Sequence, residues 1–543
     1  MAVHNSEGMK YSSIKGIERV VLARELTMPE IEEITRKTDL ETELFVHGAL
    51  CYSFSGMCLF SSFLGGNSAN RGLCTQPCRR IYSQKEDDKR KTSYSFSLKD
   101  NQLIDYLKEF KGLNITSLKV EGRLKSADYI SRVSQAYRMA IDNPEKLDEA
   151  KSLLQYDCGR EKTSYFTGKD VFNSITQSAT AGILIGKVSK SENNIISFTS
   201  DFKIEEGSRL RFRNPQNDKQ VDIKAEIVTE DGLNYSVTAD SKEIKQTYEV
   251  YLAGYKIKLP QKINTDNIQI KEHYPAQKTK QIADSLRFKG NPQQKEAFIR
   301  IDNFGWIEKI NFKDFQGIIL QLTKKEWLDF KIEAPAIKKN KEKFFIELPK
   351  FIPEKKISFY KSLTLKLFNA GFTSFFISHI SQLMILPKGS KIYSNENVYT
   401  FNDAAIRFIK EEGIKNFIYP LETDIANLGK GTDRNGIIPI FYYPHLFYSR
   451  MPVKLSKDKT FSDSTGQKYL KHIKDGMTII TPDKPVSIIQ YKEKIERYGF
   501  GRFLIDLSFI APDDETLQSI LKSFNNSESI KESTIFNFKR ELK

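Results

Sequence analysis

The chain has 543 residues, of which 39% are hydrophobic and 28% are charged, and its formal net charge is +15. One hydrophobic core rarely serves a chain of this length, so we expect roughly two to four domains of ordinary globular composition. No apolar run reaches the roughly 18–20 residues that span a bilayer, and the N terminus lacks a secretory signal pattern, which predicts a cytoplasmic protein without membrane spans. The positive charge favours a nucleic-acid partner, with a Lys-rich surface that only maintains solubility as the alternative.

The first segment, residues 1–170, alternates short apolar runs with helical patterns. Residues 20–23 and 44–47 are typical of buried strands. Asp100 is expected to begin a helix that leads into a further strand at 117–120. This alternation predicts parallel strands with crossover helices, hence an α/β barrel or a doubly wound sheet.

The rest of the chain divides into four further parts. Residues 177–262 contain short β-rich runs between polar turns, which predicts a small all-β domain, either a barrel or a sandwich. A linker containing Lys, Gln and Pro is expected over 263–295. Residues 296–525 return to strand–helix alternation, which predicts a second, degenerate α/β barrel-like domain. The Ser-, Asn- and Lys-rich tail, 526–543, is expected to be mobile.

The first and third segments share an internal sequence similarity. Residues 413–418 parallel residues 16–21, and His445 stands where Cys51 does. Several strands precede the matched point in the third segment, whereas the first segment begins at it. Unless the match is due to chance, the first barrel is partial, a partner chain is expected to supply its opening strands, and the third segment is a scaffold or binding half.

Four of the five cysteines, namely Cys51, Cys58, Cys74 and Cys78, fall within 28 residues. Thiols in a reducing compartment are not normally stored as disulfides, and four thiolates near a strand end can hold iron or zinc. Structural zinc sites usually pair their cysteines as two CxxC units, which this run lacks, so we favour an iron–sulfur cluster. Zinc and four merely buried thiols are the alternatives. Cys158 is expected to be an ordinary core or surface thiol.

Polar residues at three predicted strand ends are candidates for catalysis, because the carboxyl ends of strands carry the chemistry of parallel barrels. His47 is either a proton-transfer or substrate-binding group or a structural histidine. An ion pair of Arg24 and Glu25 could orient substrate or simply close the barrel. Glu121 and Arg123 follow the third strand, where the guanidinium suits a carboxylate or phosphate.

Three arginines flank the last two cysteines, at Arg71, Arg79 and Arg80. They are candidates for contacts with RNA phosphates, and a solvated basic rim is the alternative. The sequence contains no HExxH, GxSxG or P-loop motif, so conventional metalloprotease, serine-hydrolase and nucleotide-hydrolase functions lack their required residues.

The patterns HGALC, SGMC, NRGLC and PCR between Glu43 and Arg79, together with KVEGR at 119–123, closely resemble peptidase family U32, the collagenase-like proteases. The resemblance covers about residues 3–170. The arrangement of a barrel, a small β domain and a further region is similar to the longer members associated with 23S rRNA hydroxylation. The resemblance implies a [4Fe–4S] cluster on Cys51, Cys58, Cys74 and Cys78. It also implies a role in oxygen-independent hydroxylation of tRNA, 23S rRNA or ubiquinone precursors, with prephenate as a co-substrate in several members.

Our leading hypothesis is therefore a cytoplasmic iron–sulfur enzyme that supports hydroxylation of a base in structured RNA, either rRNA or tRNA. The family name keeps a peptidase as the second hypothesis, although four thiolates would close the open metal position that zinc proteolysis needs. The third hypothesis is a non-catalytic fragment or subunit that requires a partner chain for its missing strands.

Overall fold

The computed structural model describes residues 3–86, 89–123, 125–168, 171–176, 180–216, 219–238, 243–255, 276–288, 295–456, 459–539 and 542–543. These residues form α-helices and several β-sheets, so the mixed α/β architecture predicted from the sequence is confirmed. Within these ranges, no helix is both long and apolar enough to cross a membrane.

The strands are short and are distributed along the whole chain. Those before residue 255 are β1 (Arg19–Val21), β2 (Glu41–Gly48), β3 (Tyr82–Glu86), β4 (Lys89–Ser93), β5 (Asp100–Gln102), β6 (Ile115–Val120), β7 (Lys162–Thr163), β8 (Ile183–Glu192), β9 (Ile195–Thr199), β10 (Arg209–Arg213), β11 (Gln220–Lys224), β12 (Val228–Asp231), β13 (Asn234–Thr238) and β14 (Glu249–Gly254). Those that follow are β15 (Glu296–Ile301), β16 (Gly317–Leu320), β17 (Phe344–Glu347), β18 (Ser374–Ile377), β19 (Lys391–Ser394), β20 (Asn416–Phe417), β21 (Ile438–Tyr442), β22 (Phe447–Ser449), β23 (Phe461–Ser462), β24 (Lys468–Lys474), β25 (Met477–Pro482), β26 (Val486–Ser487) and β27 (Arg502–Asp506).

The α-helices alternate with strands in the first and third segments. They are α1 (Ser6–Ile14), α2 (Met28–Arg36), α3 (Phe60–Gly65), α4 (Leu107–Lys111), α5 (Ala127–Asp142), α6 (Leu147–Leu154), α7 (Ala276–Ser285), α8 (Lys324–Asp329), α9 (Pro335–Lys339), α10 (Ile357–Asn369), α11 (Asp403–Glu411), α12 (Ile425–Lys430), α13 (Lys492–Arg497) and α14 (Asp514–Asn526).

The chain divides into two compact units. Unit 1 consists of Met1–Thr42, Cys51–Phe96 and Glu272–Lys543, and unit 2 consists of Glu43–Leu50 and Ser97–Lys271. The predicted first segment, 1–170, is therefore shared between the units. The reason is that its cysteine-bearing stretch packs with the third segment, as when the Phe54 N–H donates to the Tyr448 carbonyl at 2.7 Å.

Parallel strands of unit 1 close into a barrel. Their hydrogen-bonded order is β20-β19-β18-β17-β16-β15-β27-β21, and each neighbouring pair is parallel. The two ends of this path meet at a parallel bridge between Ile418 and Ile437. There the Ile437 N–H donates to the Phe417 carbonyl at 2.8 Å, and the Tyr419 N–H donates to the Ile437 carbonyl at 2.9 Å. The barrel occupies the range 296–525 that was predicted as barrel-like.

The barrel interior contains one apolar layer built from alternate residues of its strands. The layer consists of Phe298, Ile319, Phe345, Phe376, Ile418, Ile437 and Leu504, with the partly buried Tyr393 against them. Neighbours such as Ile299, Leu320 and Phe375 instead lie in the large core cluster on the other face of the strands. Burial on both faces explains why these strands read as continuous hydrophobic runs.

A second sheet of unit 1 joins the cysteine-bearing stretch to strands beyond β21. It is antiparallel, with the order β22-β25-β24-β23-β3-β4. Strand β3 pairs with β23 through Phe461 opposite Gln84 and Ser462 opposite Ser83. This pairing fixes the chain directly after Cys78.

Unit 2 contains two sheets. In the smaller one, β2 pairs with β6 and lies antiparallel to β5, and β5 lies parallel to β7. The larger sheet is antiparallel, with the order β11-β10-β14-β8-β9-β13-β12, and falls within the range 177–262 that was predicted as all-β. Leu210, Phe212 and Val250 are among the fully buried residues of its core.

Two local predictions are wrong. Asp100 begins strand β5, because its carboxylate accepts the Arg160 backbone N–H at 3.0 Å and is held in place there. The helix predicted from Asp100 is present but begins later, with a 3-10 turn at Ile104–Tyr106 that continues into α4. The tail over 526–543 is not a free segment in its described part, since Asn537 and Phe538 are buried and the Asn537 amide donates to Ser62 Oγ at 2.9 Å. Of the predicted linker, 263–295, residues 276–285 form α7, and the stretches 263–275 and 289–294 lie outside the described residues.

The apolar layer of the barrel predicts a large effect of truncation. We expect Phe376→Ala to lower the free energy of unfolding by about 3–5 kcal/mol, because the Phe376 side chain is 0% exposed and its removal leaves a cavity. The matched control is Phe408→Ala on α11, whose side chain is 44% exposed and should cost less than about 1 kcal/mol. Urea denaturation of wild type and both variants measures the change in the free energy of unfolding. Equal losses would contradict the assignment of Phe376 to the barrel interior.

Candidate metal centre and polar strand ends

The four clustered cysteines all lie in unit 1, on the irregular stretch between β2 and β3. Cys58 and Cys78 are buried, Cys51 is partly buried and Cys74 is exposed. Cys58 precedes helix α3, and Cys78 lies in a short 3-10 turn at Pro77–Arg79. The stretch turns sharply at Gly56, whose φ of 82° lies in the left-handed region that favours glycine. The four thiols therefore differ in their exposure to solvent, from buried to exposed.

Electrostatic effects show that the four thiols share one neighbourhood. Burial raises the pKa of Cys58 well above its usual value, and the negative charges of Cys51, Cys78 and Cys74 raise it further. Burial likewise raises the pKa of Cys51 to about 12, with the charge of Cys78 next in effect. Because the attraction or repulsion of charges weakens with distance, Cys58 must lie near the other three.

Backbone N–H groups point at three of the sulfur atoms. The Ser53 and Phe60 N–H groups hydrogen-bond Cys51 and Cys58, and the Gln76 N–H donates to Cys74 Sγ at 3.3 Å. Donors of this kind stabilise thiolates and tune sulfur-bound metal centres. In the described part of the chain, no group of three or more His, Cys, Asp or Glu side chains stands in position around a metal ion.

The loop that carries Cys51 and Cys58 is fixed from two sides. Glu25, at 1% exposure, accepts hydrogen bonds from the Ser55 N–H at 3.1 Å and the Ser55 hydroxyl at 3.2 Å. On the other side, Ser53 Oγ donates to the Tyr448 carbonyl at 3.2 Å, and the Leu59 N–H donates to the Leu446 carbonyl at 3.1 Å. Both contacts are made within unit 1, and the second of them attaches the cysteine loop to β22 of the antiparallel sheet.

The predicted pair Arg24 and Glu25 therefore has a more specific arrangement than a simple ion pair. Burial raises the pKa of Glu25, while the charge of Arg24 and the hydrogen bonds from Ser55 lower it, and the net shift is upward. The Glu25 carboxylate binds the cysteine loop by accepting hydrogen bonds from Ser55. The positive charge of Arg24 acts on the Glu25 carboxylate and lowers its pKa. Glu25 is thus a positioning residue for the loop.

His47 lies in a buried polar cluster of unit 2. It is 1% exposed, and its Nε2 lies 2.8 Å from Asp157 Oδ2, while Lys162 also bonds to Asp157. The Tyr137 hydroxyl lies 3.5 Å from the other ring nitrogen of His47. Burial lowers the pKa of His47, although the hydrogen bond with Asp157 raises it again in part. The imidazole is therefore oriented by a carboxylate, as in general acid–base sites.

A second carboxylate extends this cluster. Asp100, at 1% exposure, accepts the Arg160 backbone N–H at 3.0 Å and lies 3.4 Å from the Arg160 guanidinium. Burial lowers the pKa of Lys125, which lies within electrostatic reach of Asp100. A side chain at Gly159 would come within 3.0 Å of both Asp100 and Asp157, so only glycine permits this approach. Three basic side chains, those of Lys125, Arg160 and Lys162, thus surround the two carboxylates Asp100 and Asp157.

Glu121 and Arg123 are placed differently from each other. The Glu121 N–H donates to the His47 carbonyl at 2.8 Å, and the Glu121 carbonyl accepts from the Tyr129 hydroxyl at 3.3 Å. Gly48 has a φ of 109° and lies against the Glu121 backbone. Glu121 is thus beside the His47 cluster, whereas Arg123 is exposed and its role stays a prediction.

The three predicted RNA-contacting arginines differ in exposure. Arg71 is exposed, but its guanidinium lies 3.3 Å from the Leu542 carbonyl and 5.8 Å from the Phe401 ring centroid. Arg79 and Arg80 are half-buried. Their contact with RNA stays a prediction.

Sequence reasoning missed Asp157, Arg160, Lys162 and Lys125. The signal was present in the run from Asp157 to Lys162, where charged residues surround Cys158 and Gly159, but that run was interpreted as an ordinary polar loop. Its partner His47 lies 110 residues earlier, and no local pattern reveals such a pairing.

Comparison with known proteins supports the U32 resemblance. Residues 1–173 match the sequence model of peptidase family U32, so this part of the chain is U32-like. The 23S rRNA 5-hydroxycytidine C2501 synthase of Escherichia coli (strain K12) is 27% identical over 344 residues, which is 60% of this chain and 48% of the relative. The tRNA hydroxylation protein P1 of Bacillus subtilis (strain 168) is 35% identical over 167 residues, 28% of this chain and 40% of the relative.

A third relative carries a different name. The collagenase of Porphyromonas gingivalis (strain ATCC BAA-308 / W83) is 33% identical over 156 residues, 26% of this chain and 37% of the relative. The chain thus spans less than half the length of each of these curated relatives.

The Asp157 carboxylate predicts a specific loss of stability in acid. Burial alone would raise its pKa, but the hydrogen bond with His47 and the charge of Lys162 lower it to about 2. A lowered pKa stabilises the fold above the unfolded-state value near 4, and this stabilisation is lost as the pH falls toward 2. We expect the stability difference between wild type and Asp157→Asn to shrink by about 1 kcal/mol between about pH 6 and about pH 3.

Denaturant unfolding at each pH measures this difference. The matched control is Asp105→Asn, an exposed aspartate on the same unit, which should show a much smaller pH-dependent difference. A constant difference between wild type and Asp157→Asn across the range would contradict the proposed bonding of Asp157.

Proposed function

We propose that the protein is a cytoplasmic iron–sulfur enzyme that supports oxygen-independent hydroxylation of a base in structured RNA, either rRNA or tRNA. The observation that carries the proposal is the placement of Cys58 within electrostatic reach of Cys51, Cys74 and Cys78. The names of two relatives, an rRNA 5-hydroxycytidine synthase and a tRNA hydroxylation protein, give the reaction class.

A [4Fe–4S] cluster would be held by Cys51, Cys58, Cys74 and Cys78. The donor set fits, because it offers four soft sulfur ligands whose mutual repulsion an iron-containing cation would relieve. Each cysteine of such a cluster binds a different iron, so the four sulfur atoms need not meet at one point. When bound, the cluster supplies electron transfer or activation of an oxygen donor.

The chain's own residues have separable roles in this proposal. Glu25 holds Ser55, and with it the loop between two ligands, in one position. His47 holds a proton at Nε2, which it donates to Asp157, and this leaves Nδ1 as the nitrogen that can accept a proton. The cations Lys125, Arg160 and Lys162 exceed their two neighbouring carboxylates in number, and we propose that they receive the carboxylate groups of a co-substrate such as prephenate.

RNA would be bound by the basic surface that follows the last cysteine. Arg79 and Arg80 lead into the hairpin of β3 and β4. Strand β4 is an edge strand whose residues, including Lys89 and Arg90, are all exposed. Together with Arg71, these cations suit the phosphates of a structured RNA without specifying its sequence.

Collagenase-like peptidase activity is the second candidate, because one relative is named a collagenase. The sequence offers neither an HExxH zinc motif nor a GxSxG nucleophile motif for it. The expected partner chain that completes the first barrel also stays a prediction.

Loss of one cluster ligand tests the proposal. We expect Cys58→Ser, purified without oxygen, to lose the broad visible absorbance of an iron–sulfur protein, because one of four ligands is removed. In a deletion strain, wild type should restore a hydroxylated nucleoside in rRNA or tRNA, as measured by mass spectrometry, and Cys58→Ser should not. The matched control is Cys158→Ser, in unit 2, which should preserve both signals.

Three results would count against this function. They are a Cys58→Ser protein with unchanged visible absorbance, a deletion strain with a complete set of RNA hydroxyl marks, and peptide hydrolysis that survives the Cys58→Ser change. The last of these would favour the peptidase.

A further inference from the structure

The barrel of unit 1 has a polar layer above its apolar one. Arg300, Glu347 and Asp506 each lie two residues beyond a member of the apolar layer, on the same interior face of their strands. They therefore stand at the carboxyl ends of β15, β17 and β27. In parallel barrels this end carries the chemistry.

Arg300 forms ion pairs with three carboxylates. It is 3% exposed, and its guanidinium nitrogens lie 2.8 Å from Glu347, 2.8 Å from Glu396 and 2.7 Å from Asp506. Glu347 also accepts hydrogen bonds from Gln321 at 3.0 Å and Asn395 at 2.7 Å. With three carboxylates against one guanidinium, the layer carries net negative charge.

Lys350 lies next to this polar layer but is not part of its ion-pair network. The residue is 7% exposed, and its Nζ lies 2.9 Å from His445 Nδ1. Among the described residues, no carboxylate forms an ion pair with Lys350, because those nearby are engaged by Arg300. The amine therefore has an imidazole as its hydrogen-bonding partner.

The surroundings favour uncharged forms of both groups. Burial lowers the pKa of Lys350, the charge of Glu396 raises it, and that of Arg300 lowers it again, with a net downward shift. Burial lowers the pKa of His445 well below its usual value, and the charge of Lys350 adds to this. A neutral imidazole nitrogen can accept a proton from a neighbouring amine.

Lys350 and His445 line a cavity. It contains about 380 Å³ of space not filled by atoms, part of it open to solvent. Asn70, Asn397 and Tyr399 supply polar lining, and Met57, from the loop between Cys51 and Cys58, supplies apolar lining. The cavity lies wholly within unit 1. A small molecule that enters it meets the amine, the imidazole and the cysteine-bearing loop.

We propose that Lys350 is a nucleophile that captures a small, uncharged carbonyl compound as an imine, with His445 as its proton acceptor. Amine nucleophiles of this kind are activated by desolvation, as the buried Lys350 is. The net negative charge around Arg300 favours an uncharged aldehyde or ketone over an anionic one. This site is separate from the proposed RNA chemistry and does not depend on it.

The step balances without an external oxidant or reductant. The Lys350 nitrogen attacks the carbonyl carbon, forming a C–N bond while the C=O π electrons move to oxygen. His445 Nδ1 accepts one amine proton and passes it to that oxygen. Transfer of the second amine proton to the oxygen then breaks the C–O bond, releasing water and leaving a C=N bond to Lys350.

Reductive trapping tests the proposal on the full-length protein. Propanal and cyanoborohydride would be added briefly at limiting concentration, and propylated lysines would be located by peptide mass spectrometry. We expect Lys350 to be labelled faster than the exposed Lys10, because burial in the cavity favours its free-amine form and His445 lies in position to accept a proton from it. Reaction of Lys350 at or below the rate of Lys10 would overturn the proposal.

Two variants separate the role of His445 from a general effect on the fold. His445→Gln keeps a hydrogen-bonding side chain and should lower the labelling of position 350 while leaving Lys10 unchanged. Lys350→Met keeps an uncharged side chain of similar length and should abolish the label at this position without lowering the melting temperature greatly. Unchanged labelling of Lys350 in His445→Gln would refute the proton-accepting role. If that variant does not fold, the labelling rate of Lys350 relative to Lys10 in the wild type decides whether Lys350 is a nucleophile.

Discussion

The unfavourable deprotonation of closely placed thiols is the constraint that the cysteine site of unit 1 has to meet. Burial and neighbouring charge raise the pKa of Cys51 to about 12 and that of Cys58 well above its usual value, so both thiols keep their protons unless a cation binds the sulfur atoms. The loop that carries them is held in place by contacts on two sides. Glu25 holds it through Ser55, and the backbone of Tyr448 and Leu446, at β22 of the antiparallel sheet, holds it from the other side. The cysteine loop is therefore positioned by contacts that come from both ends of the chain.

This attachment gives the third segment a role that its sequence did not suggest. The absence of cysteines there led to its interpretation as a scaffold or binding half. Its barrel nevertheless carries a buried network around Arg300 and a Lys350–His445 pair at the carboxyl ends of its strands. His445, which the internal sequence similarity aligns with Cys51, thus lies at a polar site formed with Lys350.

Local patterns predicted what depends on neighbours in sequence. The strand at 44–47 lies within β2, the strand at 117–120 lies within β6, and the β-rich region forms one antiparallel sheet. Long-range pairings could not be predicted in this way. His47 meets Asp157 across 110 residues, and Asn537 meets Ser62 across 475 residues. The Asp100 prediction failed because a tertiary hydrogen bond from Arg160 prevailed over a local helix-capping preference.

The central claim is that iron and sulfur occupy the neighbourhood of the four cysteines. X-ray absorption at the iron edge, on protein purified without oxygen, tests it most directly. We expect iron surrounded by sulfur, with further iron atoms as near neighbours, and loss of this signal in Cys58→Ser. Iron bound only by oxygen and nitrogen, or a protein that contains zinc on its thiolates and no iron, would contradict it.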